Sequence, residues 1–599
     1  MIAPAIIACS VLAFLPGGLF RFTWIKVAIV LLALACGLFA RKGARIPPPL
    51  VLIVSGGAVV VIIGVALSGT PMAGLLGRWP RYEGLLTLGI YAGSLALGAK
   101  VLGGGETLRA WRWLHRALAG IALVLAFISL LESMGLRPLG GAADLRPGAT
   151  LGNATDQGLV AVLIVGALSV PAPASHDSWR WLLRAGLLAA GLTAILSGSR
   201  AALLGLLLVI TVVAGFSLAQ RGKRAKTIAL VAGSALGAVI VAAFLIPATR
   251  DRLFSGGTVS GRAMLWQQSL AMVRDHLWAG VGSNDFVDFF PGYATTQWAA
   301  EIGNTFPPDS PHMVVLQALV VGGIPLLLLL LTALFMVSRY AIKSITSASD
   351  PAQYGNLVGA FAALTAYTAM LLTHFSSPTT TPLALLLCGA LIAVPRKTGH
   401  YPWMPPSFTA AANSPRFPAA TRSAAATAVV LALLVALPAT VAEWPMAAGA
   451  RAAAQGLPEE ADQHFEQARS LRPWDGDTAL LAAQAFAGPA TDGDPTAAAL
   501  AMKWAHLSLK RTPASGEAGL ALAIGQINSG DYAAGKQTLD KLIAAAPNNA
   551  DPYLQRGVAE FGLGNIDASI SDLKTAIALS PKSATAQQIL DQVLLRTGQ

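Results

Sequence analysis

The sequence predicts an all-α protein in two parts, a polytopic membrane helical bundle of about 12–13 transmembrane helices and a water-soluble helical-repeat tail. Three observations predict it. Of 599 residues, 54% are hydrophobic and only 12% charged, where soluble domains carry about a quarter. From Met1 to about Ala442 the chain is a succession of long apolar runs. After Glu443 the charged residues return at helical spacing and a repeat sets in.

A crossing helix needs about 20 apolar residues, because lipid cannot satisfy free backbone polar groups. Suitable runs lie near 3–20, 24–40, 49–68, 83–102, 114–133, 151–170, 180–197, 201–219, 227–246, 312–337, 355–374, 380–395 and 423–442. The first reads as a membrane helix and not as a removed signal peptide, since it lacks a basic flank. The net charge of +12 would suggest nucleic acid in a soluble protein, but here the basic residues sit in short loops between apolar runs. Arg41, Lys42 and Arg45, then Lys100, Arg109, Arg112 and Arg116, then Arg221, Lys223, Arg224 and Lys226 mark alternate loops as cytoplasmic. The N-terminus is then cytoplasmic and the tail extracytoplasmic, as expected of a multi-pass protein of the plasma membrane. Cys9, Cys36 and Cys388 all lie in apolar runs, which implies neither a disulfide framework nor a metal cluster.

These assignments divide the chain into a membrane domain at 1–395, a cytoplasmic linker at 396–422, an additional span at 423–442 and the tail at 443–599. The membrane domain carries one long external loop, 247–311, and long structured loops usually carry function. Within it Trp266, Leu270, Val273 and Leu277 share a helical face, so Arg262 to His276 is expected to form an amphipathic helix on the membrane surface or over the body.

In the tail, Pro473, Pro513, Pro547 and Pro581 recur at intervals of 40, 34 and 34 residues. A 34-residue helix–turn–helix period ending in proline resembles the tetratricopeptide repeat. Gly530-Asp-Tyr532 and Gly564-Asn-Ile566 fall at the inter-helix turns. Such arrays offer a concave surface to a protein partner, or serve as a rigid solubilising spacer.

Polar residues at the ends of membrane helices are costly and mark candidate sites. Five places stand out, all on the external side. Arg78, Arg81, Tyr82 and Glu83 precede the fourth span, as substrate-binding groups or as an interfacial anchor. Asn153 and Asp156 open the sixth, where capping is the plainer role. Arg200 follows Ser197-Gly198-Ser199 in a turn with no room for a loop, a setting suited to bidentate phosphate binding. Arg262 leads into the amphipathic helix. Ser310 reads as an N-cap with Pro311 the first helical residue, which puts His312 in the first turn of a membrane helix, where the positive helix end favours neutral imidazole. His374 also lies near this face but is set aside.

Ser-Gly-Ser-Arg-Ala-Ala (197–202), Ser-Gly-Arg-x-x-x-Trp (260–266), Gly280-Val-Gly282-Ser-Asn-Asp-Phe286 and Pro-His-x-x-x-Leu-Gln…Gly-Gly-Ile (311–324) together resemble the O-antigen ligase and O-antigen polymerase superfamily. Arg-Tyr-Glu-Gly-Leu-Leu (81–86) is similar to a segment of members with repeat tails. The resemblance covers about residues 1–395 and implies a GT-C-like body and a metal-independent, cofactor-free, inverting glycosyl transfer. The donor would be a glycan on undecaprenyl diphosphate, and the acceptor a lipid, a growing glycan or a protein hydroxyl. The essential arginines of the family match Arg200 and Arg262, and its essential histidine matches His312. The thirteenth span and the tail depart from the pattern and leave the acceptor open.

The residues suit that chemistry: guanidinium groups can neutralise a diphosphate leaving group, and a neutral histidine can take the acceptor proton. Asp285, Asp288, Glu301 and Asp309 leave a carboxylate base as a further alternative. A transporter would place ionisable groups near the midplane, and a non-catalytic scaffold would not require Arg200, Arg262 and His312 on one side.

Overall fold

The computed structural model describes residues 2–18, 22–40, 43–103, 107–140, 146–174, 178–219, 257–303, 307–394 and 416–598, with isolated positions between 220 and 256. The expected ninth span at 227–246 and most of the 396–422 linker lie outside the described residues. Within them the chain is helical throughout and carries no strand, only an isolated bridge between Arg45 and Val394.

The membrane portion contains α1 (Ala3–Cys9), α2 (Thr23–Leu38), α3 (Pro48–Leu67), the short α4 (Pro71–Leu76), α5 (Leu85–Leu102), α6 (Leu108–Ser133), α7 (Ala154–Ser169), α8 (Arg180–Leu196) and α9 (Arg200–Ala219). The external region contributes α10 (Gly257–Asp275), α11 (Phe286–Tyr293) and α12 (Thr296–Glu301). The bundle resumes with α13 (Val314–Thr346), α14 (Pro351–Met370), α15 (Thr381–Ile392) and α16 (Arg416–Val441). Among the described residues, 6 helical stretches are long and apolar enough to cross a membrane: α3, α5, α6, α9, α13 and Thr421–Ala454. Several expected spans are therefore shorter as helices than as apolar runs. Helix α15 has 12 residues, about 18 Å at the usual rise against a core of about 30 Å.

The short helices can be short because they are inside. Every residue of α7 from Gln157 to Leu168 is buried, so protein and not lipid surrounds it. Helix α15 is approached so closely by α5 that a Cβ on Gly98 would lie 2.0 Å from the Leu386 carbonyl oxygen, and one on Gly389 would lie 2.1 Å from that of Leu95. Small residues permit such contact where no hydrophobic force drives helices together in lipid. Between α14 and α15 the chain is irregular, and hydroxyls satisfy it: Tyr367 bonds Thr381 at 2.9 Å, and Ser377 bonds Thr379 at 2.9 Å. Irregular backbone is tolerated at such depth only when enclosed by protein or lining a cavity.

Helix α13 is broken at Gly322 (φ −147°) and Gly323 (φ 61°). The turn after α10 plugs the break: Ile324 N–H donates to the Leu277 carbonyl at 3.0 Å, and Val281 N–H to that of Val320 at 2.7 Å. Helix α10 begins at Gly257, earlier than Arg262, and packs one face against the rest of the external region. Leu265, Gln268, Ser269 and Met272 are buried with Val273, whereas Leu270 and Leu277 are exposed. Phe286, Phe290 and Trp298 of α11 and α12 form a small core against Leu265 and Met272.

Beyond α16, separated only by Ala442 in helical conformation, follow α17 (Glu443–Ala454), α18 (Pro458–Leu471), α19 (Gly476–Thr491), α20 (Pro495–Leu509), α21 (Gly516–Asn528), α22 (Tyr532–Ala545), α23 (Ala550–Gly562), α24 (Ile566–Leu579) and α25 (Ala584–Thr597). Consecutive helices pack on each other, and α19, α21 and α23 also touch in series. Phe465, Phe486 and Trp504 fill the core of the first half at 1% exposure or less.

Candidate functional site

The starts of α5, α7, α9 and α13 and the end of α14 lie at one end of the bundle. Val314 N–H at the head of α13 donates to the Leu371 carbonyl just past α14 at 2.9 Å, which ties two of these ends together. His312 belongs to the loop before α13 and not to its first turn. Its φ is +53°, and the helix begins only at Val314, with Met313 as N-cap. Ser310 is therefore not the cap. Its carbonyl instead faces the His312 Nδ1 at 2.9 Å. A carbonyl only accepts, so Nδ1 carries the proton and Nε2 is left as the acceptor. Burial pushes His312 down to about 4, aided by His374 and Arg262 and opposed by Asp309. The imidazole is neutral for reasons of desolvation, not of a helix end.

Phe375 organises the neighbours of His312. Its ring lies 5.0 Å from that of His312, 4.1 Å from that of His374, and 4.8 Å below the Arg81 guanidinium. Arg81 meets Asp309 through Nε to Oδ2 at 2.8 Å and through Nη2 to the backbone carbonyl at 3.0 Å. Burial works against its charge, but Asp309 and Glu83 outweigh it and hold the pKa above the ordinary guanidinium value. Glu83 itself is raised by burial and accepts from Tyr91 Oη at 2.8 Å. Arg262 reaches across from α10 to donate to the Thr373 carbonyl, and Trp266 Nε1 donates to that of Pro311 at 3.0 Å. Burial lowers the Arg262 pKa.

His374 is 3% exposed and bonds Asp156 Oδ1 through Nε2 at 3.1 Å, while its Nδ1 is buried without a hydrogen-bond partner. A small cavity of about 10 Å³, room for no more than a water molecule, opens beside Asp156 and is lined by Arg81, Leu151 and Ser377 among others.

The candidate residues thus divide. Arg81, Glu83, Arg262 and His312 adjoin one another, and Asp156 joins through His374. Asn153 caps α7, its Oδ1 accepting from Thr155 N–H at 2.8 Å. Arg200 opens α9, and Ala202 of that helix lies with Ser197 and Ser199 of the preceding turn close to Gly158, two residues along from Asp156. Arg78 and Tyr82 turn the other way, to the tail. The residues that sequence reasoning missed are Phe375, which went unmarked, and His374, which was set aside. The polar run His374-Phe-Ser-Ser-Pro-Thr-Thr-Thr381 between apolar helices was the available signal. Among the described residues no group of three or more His, Cys, Asp or Glu side chains converges as a metal ion requires.

The result is a polar, partly desolvated centre at one end of a multi-pass helical bundle. Residues 185–331 match the family model described as O-antigen ligase, so this part of the membrane portion is similar to the O-antigen ligase superfamily. The match includes Arg200, Arg262 and His312. Separately, a 75-residue stretch is 32% identical to an FK506-binding protein-like protein of Homo sapiens, covering 12% of this chain and 22% of that protein. The counterpart in Rattus norvegicus is 31% identical over 75 residues with the same coverage. The chain thus spans about a fifth of the length of these curated relatives.

Proposed function

We propose that this protein transfers a glycan from undecaprenyl diphosphate to an acceptor hydroxyl on the external face of the bacterial plasma membrane. The N-terminus would then be cytoplasmic and the tail extracytoplasmic. The observation that carries the reading is His312, neutral, with Nδ1 engaged by the Ser310 carbonyl and Nε2 left to accept, near the buried guanidinium of Arg81 and the half-buried one of Arg262.

In this reading the acceptor oxygen attacks the anomeric carbon as the bond to the diphosphate oxygen breaks. The hydroxyl proton passes to His312 Nε2, worth typically 10²–10⁴-fold for a positioned base. Arg262 and Arg200 neutralise the charge that develops on the leaving diphosphate, which preorganised cations do best where water is scarce. Arg81 is already matched by Asp309, so its part is to shape the site. Single displacement inverts the anomeric carbon, and no step calls for a divalent metal.

The acceptor is a lipid-linked sugar, a growing glycan or a protein hydroxyl, and the 34-residue helix pairs, read as tetratricopeptide repeats, favour a protein partner on the tail. The test is glycan transfer from a polyprenyl-diphosphate donor by the His312→Ala chain at unchanged membrane levels. Loss of transfer is expected, and normal transfer would refute the base.

A further inference from the structure

The segment that carries Arg81 is gripped from its other side by the C-terminal helical array. Residues 78–83 link α4 to α5, and their side chains leave in two directions. Arg81 and Glu83 point to the His312 cluster. Arg78, 7% exposed, is shared by Asp288 Oδ2 at 2.7 Å and Asp477 Oδ1 at 3.0 Å. The other oxygen of Asp477 accepts the Trp79 N–H at 2.8 Å. Tyr82 Oη accepts from Arg472 Nη1 at 3.0 Å. Arg472 is fully buried and also donates to Glu443 and to the Ala439 carbonyl near the end of α16.

Two further features exclude a loosely tethered tail. No linker stands between membrane helix and array, because Ala442 alone separates α16 from α17. The array also touches the body at distant points: Trp444 Nε1 donates to the Pro16 carbonyl at 2.8 Å, and Asn548 Nδ2 to that of Ala294 at 2.8 Å. Here the joint is made of buried, hydrogen-bonded ion pairs, Arg78 with Asp477 and Asp288, and Arg472 with Glu443.

Resting on the transferase reading, we infer that the helical array is a fixed wall of the site, with Asp477 and Arg472 as positioning residues that hold segment 78–83 so that Arg81 meets Asp309 and Phe375. Its removal would impair transfer to every acceptor, not to one class.

The test uses full-length chains in native membranes with glycan-loaded undecaprenyl diphosphate. Release of undecaprenyl diphosphate and amide exchange of peptide 77–84 are followed together. Asp477→Asn is expected to lower kcat at least tenfold with donor KM little changed, and to speed exchange at 77–84 at least tenfold. Asp477→Glu should recover part of both, and Asp567→Asn, exposed on the same array, should alter neither. Exchange around the buried Trp504 reports whether the array itself stays folded. Wild-type exchange at 77–84 in Asp477→Asn overturns the inference, as does faster exchange with undiminished kcat. Transfer that survives His312→Ala refutes the transferase reading instead, and the exchange measurement still decides whether the wall exists.

Discussion

His312 and His374 lie with ring centroids 6.3 Å apart, yet are held by unlike partners. A backbone carbonyl holds Nδ1 of the first, and the Asp156 carboxylate holds Nε2 of the second. Each ring therefore exposes a different nitrogen as proton acceptor, and only His374 keeps that nitrogen buried without a hydrogen-bond partner. Removing His312 should lower kcat by about 10²–10⁴-fold. His374→Ala and Asp156→Asn should each cost about tenfold, since on this account they seat Phe375 and do not meet the acceptor hydroxyl. Steady-state transfer kinetics check the order. An effect of His374→Ala larger than that of His312→Ala would move the base to His374.

The pH dependence follows from the same burial. Held down at about 4, His312 is already the free base throughout the neutral range. Protonation inactivates it, so kcat/KM should fall only as pH drops through about 4 and stay level between 6 and 8. A pH–rate profile in membranes measures this. An acid limb near the ordinary histidine value, about 6.5, would contradict the buried environment.

Arg81 makes two contacts with Asp309, Nε to its carboxylate and Nη2 to its carbonyl, with its guanidinium over the Phe375 ring at 4.8 Å. Lysine keeps the charge and loses both the two-point contact and the stack. Arg81→Lys should lower kcat about tenfold or more while donor binding, measured by titration with the lipid-linked glycan, changes less. Equal loss in both would mean that Arg81 touches the donor directly.

Gly323 is required by the break in α13. It adopts φ +61°, and a Cβ there would lie 2.5 Å from the Trp278 backbone. Gly323→Ala should destabilise by at least about 1–3 kcal/mol from strain alone. Thermal unfolding in detergent checks it, and an unchanged midpoint would mean the plug at 277–281 is dispensable.

Hydrophobicity made the membrane bundle legible, and proline spacing made the array legible. Helices α18, α20, α22 and α24 end at Leu471, Leu509, Ala545 and Leu579, just before Pro473, Pro513, Pro547 and Pro581. Periodicity marked α10 as a helix, but its apolar residues encircle it, so the face packed against Phe286, Phe290 and Trp298 was not legible. His312 could be picked from its neighbours in sequence, but its left-handed backbone could not, since Ser310-Pro311 carries an equally good helix-start pattern. The joint at Arg78 was beyond reach for another reason. Its partner Asp477 is 399 positions away and, in a charged tail, has the look of any solvated carboxylate.

That separation sets an order of events during synthesis. Arg78 leaves the ribosome long before Asp477 exists, and its buried pocket stays open until most of the chain has been made. Premature termination anywhere ahead of Asp477 would leave a bundle that inserts into the bilayer with segment 78–83 unsecured. Completion of translation would thus serve as a check on catalytic competence, and ribosome-stalled chains arrested before and after residue 477 would differ in protease sensitivity at Trp79–Tyr82.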